Sequence, residues 1–175
     1  MNGFWETATS SNKNDYGTPQ DLFDALHAEF NFEIDLCASA TNAKLSKYLT
    51  EQDDFIEQAN TLEPMVAFMN PPYQKGENAC RAKCVKKACQ KRGFHRTSLF
   101  PGTRSFVKAA FDYAQRGATV VCLLPARTGN EWFHRFAIPY GEIRFLPGRL
   151  TFEGAQDPAA FDSLICIFRP KGDLN

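Results

Sequence analysis

The chain has 175 residues, sixteen of them phenylalanine, and its twenty lysines and arginines balance its twenty acids. That length suits one domain with a sizeable core, and no apolar run approaches bilayer-spanning length. No cationic-then-apolar leader opens the chain, so a cytoplasmic protein without membrane attachment is expected.

The neutral total hides a division. Residues 1–64 carry three Lys/Arg against twelve Asp/Glu; residues 65–175 carry seventeen against eight. Eleven of the basic residues fall between Lys75 and Arg116, against two acids. Such a cationic side suits a polyanion, or equally a solvated helix face.

In chain order, residues 1–15 are polar and read as loose. Thr18-Pro19-Gln20-Asp21 is a helix start, with Thr18 as N-cap and Pro19 at the first helical position. Leu22, Phe23, Leu26 and Phe30 then repeat at helical spacing. Phe32 to Ala38 reads as the first strand, with Asp35 near its end. Asn42 to Leu49 is expected as a short helix and strand with Tyr48 buried. The acids Glu51, Asp53 and Asp54 and then Phe55 follow, a solvated loop unless one acid holds a ligand.

Val66 to Met69 is a short apolar run ended by Pro71 and Pro72, which cannot donate ladder hydrogen bonds and fix φ. Asn70 and Tyr73 are thereby left at the carboxyl end of a strand, the edge where open α/β sheets hold ligands. The Asn70 amide oxygen and the Pro71 carbonyl are adjacent acceptors that can hold an exocyclic amine by both hydrogens. Tyr73 can stack on a planar base drawn out of its helix.

Cys80, Cys84, Cys89 and His95 then place four soft ligands within sixteen residues. That set suits tetrahedral zinc, while Cys80, Cys84 and Ala88 also fit one apolar stripe of a helix. Gly93 breaks any such helix and lets His95 turn back. Cys37, Cys122 and Cys166 stand singly in apolar runs and read as small buried residues; the six together form no secreted disulfide framework. Thr103 or Ser105 caps a helix running to about Arg116, with Phe106, Ala109, Ala110 and Tyr113 on its apolar face. Ala118 to Pro125 reads as a buried parallel strand. Trp132 and Phe133 are expected in the core, and Glu142–Leu146 and Ser163–Arg169 as two antiparallel strands.

Asn70-Pro71-Pro72-Tyr73 resembles the catalytic motif of S-adenosylmethionine-dependent amino-methyltransferases. The run Ile143-Arg144-Phe145-Leu146-Pro147-Gly148-Arg149-Leu150, with Phe152, resembles the phage-type DNA N-6-adenine methyltransferases (Dam-like). Together the similar segments span about residues 16–168. The resemblance implies an α/β fold of the Rossmann-like class I methyltransferase type. Its sheet would be mostly parallel, with a C-terminal antiparallel hairpin and a Cys/His-rich insertion at 74–104 in a single domain. Asn70, Pro71, Pro72 and Tyr73 would be catalytic. Thr18, Pro19, Phe23, Asp35, Ala38, Asp54, Phe55 and Asn70 would bind S-adenosylmethionine. Asp35-Leu36-Cys37-Ala38 departs from the family's cofactor motif in lacking its glycines.

Cys80, Cys84, Cys89 and His95 would hold a structural zinc. Lys83, Lys86, Lys87, Arg92, Arg96, Arg127 and Arg149 would meet double-stranded DNA, in the host cell cytoplasm if the protein is phage-encoded. Cytosine amine, protein glutamine, or a zinc-containing DNA-binding module with a dead site stay open as alternatives, as does monomer or homodimer.

Overall fold

The seven-residue run Thr119–Pro125 is apolar after its first residue because both its faces are covered. A computed structural model describes residues 16–81 and 84–172. In it this strand, β3, sends Val120, Cys122 and Leu124 into one core and Val121 and Leu123 into another. A strand exposed on one face would alternate apolar with polar residues; one buried on both need not.

Around it lies a five-stranded sheet in the order β1-β2-β3-β5-β4. Here β1 is Ile34–Asp35, β2 Val66–Met69, β4 Gly141–Phe145 and β5 Ser163–Phe168. The first three are parallel, with Asp35 opposite Phe68 and Met69 opposite Cys122. β5 runs antiparallel between β3 and β4, Cys122 facing Cys166 and Cys166 facing Ile143. The sequence reading of β3 as parallel thus holds on one side only. Residues 146–162 form the long connection between β4 and β5.

Two helices sandwich this sheet. α1, Gln20–Phe30, lays Phe23 and Leu26 on Phe32, Phe68 and Ile165. α4, Thr103–Gln115, buries Phe106, Ala109, Ala110 and Tyr113 on the opposite face, as its periodicity implies. Its alanines let the backbone approach the sheet closely. Shorter helices are α2 (Phe55–Gln58), α3 (Lys87–Arg92) and α5 (Ile138–Tyr140), the last entered through a π-helical turn at Phe133–Ala137. Trp132 and Phe133 are in the core as expected, and His134 is exposed. All six cysteines are free; Cys122 and Cys166 are buried and Cys37 is half-buried.

Three expectations need correction. Thr18 is not a side-chain cap: Pro19 holds the N-cap position, and α1 has no side-chain capping bond. The first strand shrinks to Ile34–Asp35. Residues 42–49 form turns rather than helix and strand, since Asn42 Oδ1 accepts the Ser39 N–H (2.8 Å) and so competes with helical bonding. That segment instead shields the sheet edge, with Asp35 N–H donating to the Lys47 carbonyl (3.0 Å) and Leu49 N–H to that of Asp35 (2.8 Å). Tyr48 is half-buried there. Among the described residues no helix is long and apolar enough to cross a membrane.

Candidate active site and metal centre

Because β2 stops at the prolines, Asn70 is thrown off the carboxyl edge of the sheet beside the start of α1. Its Nδ2 donates to Thr18 Oγ1 at 3.2 Å, and Thr18 is buried. The hydroxyl that sequence reading assigned to capping therefore orients the Asn70 amide. With the nitrogen on Thr18, Oδ1 is the end a substrate can use. Among the described residues none donates to the adjacent Pro71 carbonyl. The next carbonyl, of Pro72, is occupied: Gln74 N–H (3.0 Å) and Thr103 Oγ1 (3.1 Å) both donate to it.

Tyr73 points inward. β2 has ended opposite Cys122, and the phenol donates to the next carbonyl of β3, that of Leu123, at 3.0 Å. Burial of this hydroxyl raises its pKa well above the usual phenol value. The ring meets Phe152 and Phe161 edge-on, at 6.0 and 5.5 Å between centroids. Thr103, Phe152 and Phe161 thus belong to the support of the motif, and sequence reading missed them. The signal was thin: three residues scattered over nearly sixty positions, of which Phe152 stood out only as the end of the family-like run and Thr103 only as a helix cap.

On the neighbouring strand Asp35 is 3% exposed. Its carboxylate accepts only two long backbone bonds, from Cys37 N–H (3.3 Å) and Lys44 N–H (3.4 Å). Desolvation outweighs these bonds and the Lys44 charge and raises its pKa to about 6. Ala38 is buried just beyond, its N–H donating to the Leu49 carbonyl (2.9 Å).

Of the three loop acids, Asp53 accepts from Thr50 N–H and Oγ1, both at 2.7 Å. Asp54 sits at a left-handed φ of 49° and caps α2 through the N–H groups of Ile56 and Glu57. Glu51 is exposed as a residue, yet partial desolvation of its carboxyl pushes it up to about 7. Phe55 lies in the core edge-on to Tyr113, and Phe23 edge-on to Phe68. Pro19 and Arg149 both line a groove of about 410 Å³ with Asp21, Leu22 and Leu150.

The insertion after Tyr73 is pinched shut at its base. Glu77 and Phe100 exchange backbone bonds at 2.9 and 2.8 Å, and Thr103 N–H reaches the Gln74 carbonyl at 3.0 Å. Gly102 makes this approach possible, since a Cβ there would sit 2.1 Å from the Gly76 nitrogen. Beyond the pinch, the ligand atoms of Cys80, Cys84, Cys89 and His95 lie within 4.8 Å of one another. Cys80 Sγ and Cys84 Sγ stand 3.4 and 3.7 Å from Cys89 Sγ. A tetrahedral zinc with Zn–S bonds of ~2.3 Å separates its sulfurs by ~3.8 Å, so the spacing suits metal ligation. α3 spans only Lys87–Arg92 and ends at Gly93, which has φ 82°, so Cys80 and Cys84 lie outside it and the three cysteines do not share one helical stripe.

Arg92 and Arg96 turn inward. Arg92 meets both Glu77 oxygens at 3.2 and 3.1 Å, and Arg96 Nε lies 3.6 Å from one of them. Lys86, Lys87, Arg127 and Arg149 are exposed; Lys83 lies outside the described residues. Arg127 covers the Phe161 ring at 5.4 Å, one side chain from Tyr73.

These groups define an oriented amide beside a carbonyl that takes no hydrogen bond among the described residues, a buried acid on the next strand, and a Cys/His cluster in a basic loop. The family model of DNA N-6-adenine-methyltransferase (Dam) matches residues 6–170, and the chain belongs to that family. It is therefore a methyltransferase of the DNA-methylating kind, with a mixed α/β body whose sheet begins parallel. No curated protein sequence matches the chain.

Proposed function

We propose that the protein transfers a methyl group from S-adenosylmethionine to the 6-amino group of adenine in double-stranded DNA, on a single Rossmann-like methyltransferase domain. The observation that carries this reading is the Thr18–Asn70 hydrogen bond, which presents Oδ1 beside a Pro71 carbonyl that no donor among the described residues occupies. Two acceptors at adjacent positions bind both hydrogens of an aromatic amine and direct its lone pair outward. Catalysis by such a site is mostly positioning. Tyr73 would flank the extruded base from a fixed place, its hydroxyl already tied to Leu123.

Asp35 fits the cofactor. A buried carboxylate with two long hydrogen bonds favours a cationic partner, and the amino group at the methionine end of S-adenosylmethionine is one. Thr18, Pro19, Phe23, Ala38, Asp54 and Phe55 would complete that side, with Asp54 acting from its capping position or ceding the ribose to Glu51. When bound, S-adenosylmethionine supplies an electrophilic methyl on a sulfonium. Cys80, Cys84, Cys89 and His95 would hold a structural zinc, four protein ligands leaving no open position. Lys86, Lys87, Arg127 and Arg149, with Lys83, would face DNA phosphates. In this reading Arg92 and Arg96 support that face through Glu77.

The test is methyl transfer from labelled S-adenosylmethionine to unmethylated duplex DNA, with digested nucleosides resolved. Label in 6-methyladenosine is expected. Label in cytosine would move the acceptor, and no label with no heat of cofactor binding would sink the reading.

A further inference from the structure

Six large apolar residues are exposed in the described chain, and they fall into two groups. Val85, Phe94 and Leu99 belong to the Cys/His insertion. Phe145 (63% exposed), Ile138 (53%) and Tyr140 (47%) lie along the outer edge of the sheet, in β4 and the turn that enters it. Nothing in the proposed chemistry uses this second group.

β4 has β5 on one side and, among the described residues, no strand on the other. The direction of its free groups follows from the register. Phe145 pairs with Leu164, so Leu146 stands opposite Ser163, and Leu146 N–H donates to the Ser163 carbonyl at 3.0 Å. In an antiparallel ladder the residues bonded to a given neighbour alternate. Glu142, Arg144 and Leu146 therefore direct their backbone toward β5, and Gly141, Ile143 and Phe145 direct theirs outward. Among the described residues none takes the outward groups of Ile143 or Phe145.

We infer that this edge is a dimer interface between two copies of the chain, joined β4 to β4 antiparallel about Ile143. The register is self-complementary. Ile143 would pair with the partner's Ile143, and Gly141 with the partner's Phe145, both through outward-directed backbone groups. The exposed Phe145 ring would then lie over a residue without a side chain, beside the partner's Tyr140. On the opposite face of the sheet, Glu142 would stand directly across from the partner's Arg144, twice by symmetry. Opposite charges directly across strands favour pairing, and like charges there oppose it.

Exposed edges are commonly blunted by charge. Here one acid and one base are two residues apart, so a two-fold axis at Ile143 turns the blunting charges into matched pairs. Glu142 already holds Arg144 and Arg169 within its own chain, both at 2.6 Å, and Arg144 holds Glu29. The face across the joint is thus an ordered charge cluster. A closed two-fold contact uses up both edges and does not propagate into a fibre.

Sedimentation of the full chain tests this. The wild type should sediment at twice the mass of one chain at micromolar concentration. Glu142→Arg alone places two cations on that face and Arg144→Glu alone two acids, so each should sediment as a monomer. Mixed one to one, the two variants should recover the doubled mass, because each now faces its opposite. That recovery also shows both variants are folded, and far-ultraviolet circular dichroism of each checks it separately. A monomeric wild type would overturn the proposal. So would single variants that stay dimeric, or a mixture of folded variants that does not recombine.

Discussion

The sheet-edge site and the Cys/His insertion are held in place by opposite means. Asp35 lies on β1, and Asn70 and Tyr73 follow the end of β2, in a sheet pressed between two helices where Phe68, Val121, Leu123 and Ile165 are almost wholly buried. In the insertion between Glu77 and Phe100, Cys89 is the one buried residue among those described. A segment with so little apolar burial cannot offset its own ordering entropy. Its order rests on the backbone pinch at Glu77 and Phe100 and the ion pairs of Glu77, and the proposed zinc would add coordination by Cys80, Cys84, Cys89 and His95. One small chain thus positions a site by packing and a neighbouring loop by backbone and ionic contacts, to which the proposed zinc would add.

The largest expected effect separates the two directly. Structural zinc contributes ~10–16 kcal/mol to the folding of isolated zinc-finger peptides. Chelation, or Cys89→Ser, should therefore release the metal and make residues 78–99 cleavable by protease while the far-ultraviolet circular dichroism of the body changes little. Collapse of the whole spectrum would mean that the insertion and body are one cooperative unit.

Phe68→Ala is the converse. It opens a cavity in the core beneath α1 and should cost about 3–5 kcal/mol of global stability by denaturant titration. The fraction that remains folded should keep one metal per chain.

The Asp35 carboxyl sharpens the packed side. Its pKa rises from ~3.9 in the unfolded chain to about 6 in the fold, so the folded state binds the proton more tightly. Stability of the free protein should therefore fall as pH rises between those values, by about 3 kcal/mol, and Asp35→Asn should flatten that slope. Cofactor binding should run the other way, weakening as pH drops below about 6, because the partner of a cation must be ionised. Denaturant titration from about pH 4 to about pH 7 checks the first sign, and calorimetric cofactor titration from about pH 5 to about pH 8 the second. A smaller effect comes from Tyr73→Phe, which strands the Leu123 carbonyl and should cost about 1–3 kcal/mol by thermal unfolding.

Much of this arrangement was legible in the chain. β3 and β5 announce themselves as apolar runs too long for anything but a covered strand, and α4 by its spacing. Two prolines after Met69 and the Asn70–Tyr73 motif marked the site. The four ligands were readable as residue types at close spacing, although the turn that gathers them was not. What was hidden depended on which of two local options the tertiary structure selects. Thr18 could cap α1 or reach Asn70, and only the placement of β2 beside α1 decides. Asp54 could face a ligand or cap α2. Arg92 and Arg96 looked like phosphate contacts in a cationic run, and Glu77, a lone acid fifteen residues earlier, draws them inward.

The central proposal is that Asn70 acts chiefly on the acceptor amine, with only a small share in cofactor binding and none in holding the fold. Single-turnover methyl transfer at saturating S-adenosylmethionine, wild type against Asn70→Ala with calorimetric cofactor binding alongside, tests it most directly. The account predicts a fall in transfer of about a hundredfold or more, equivalent to at least ~2.7 kcal/mol of transition-state stabilisation, with cofactor affinity kept within a few-fold. Transfer by Asn70→Ala at near the wild-type rate would contradict it.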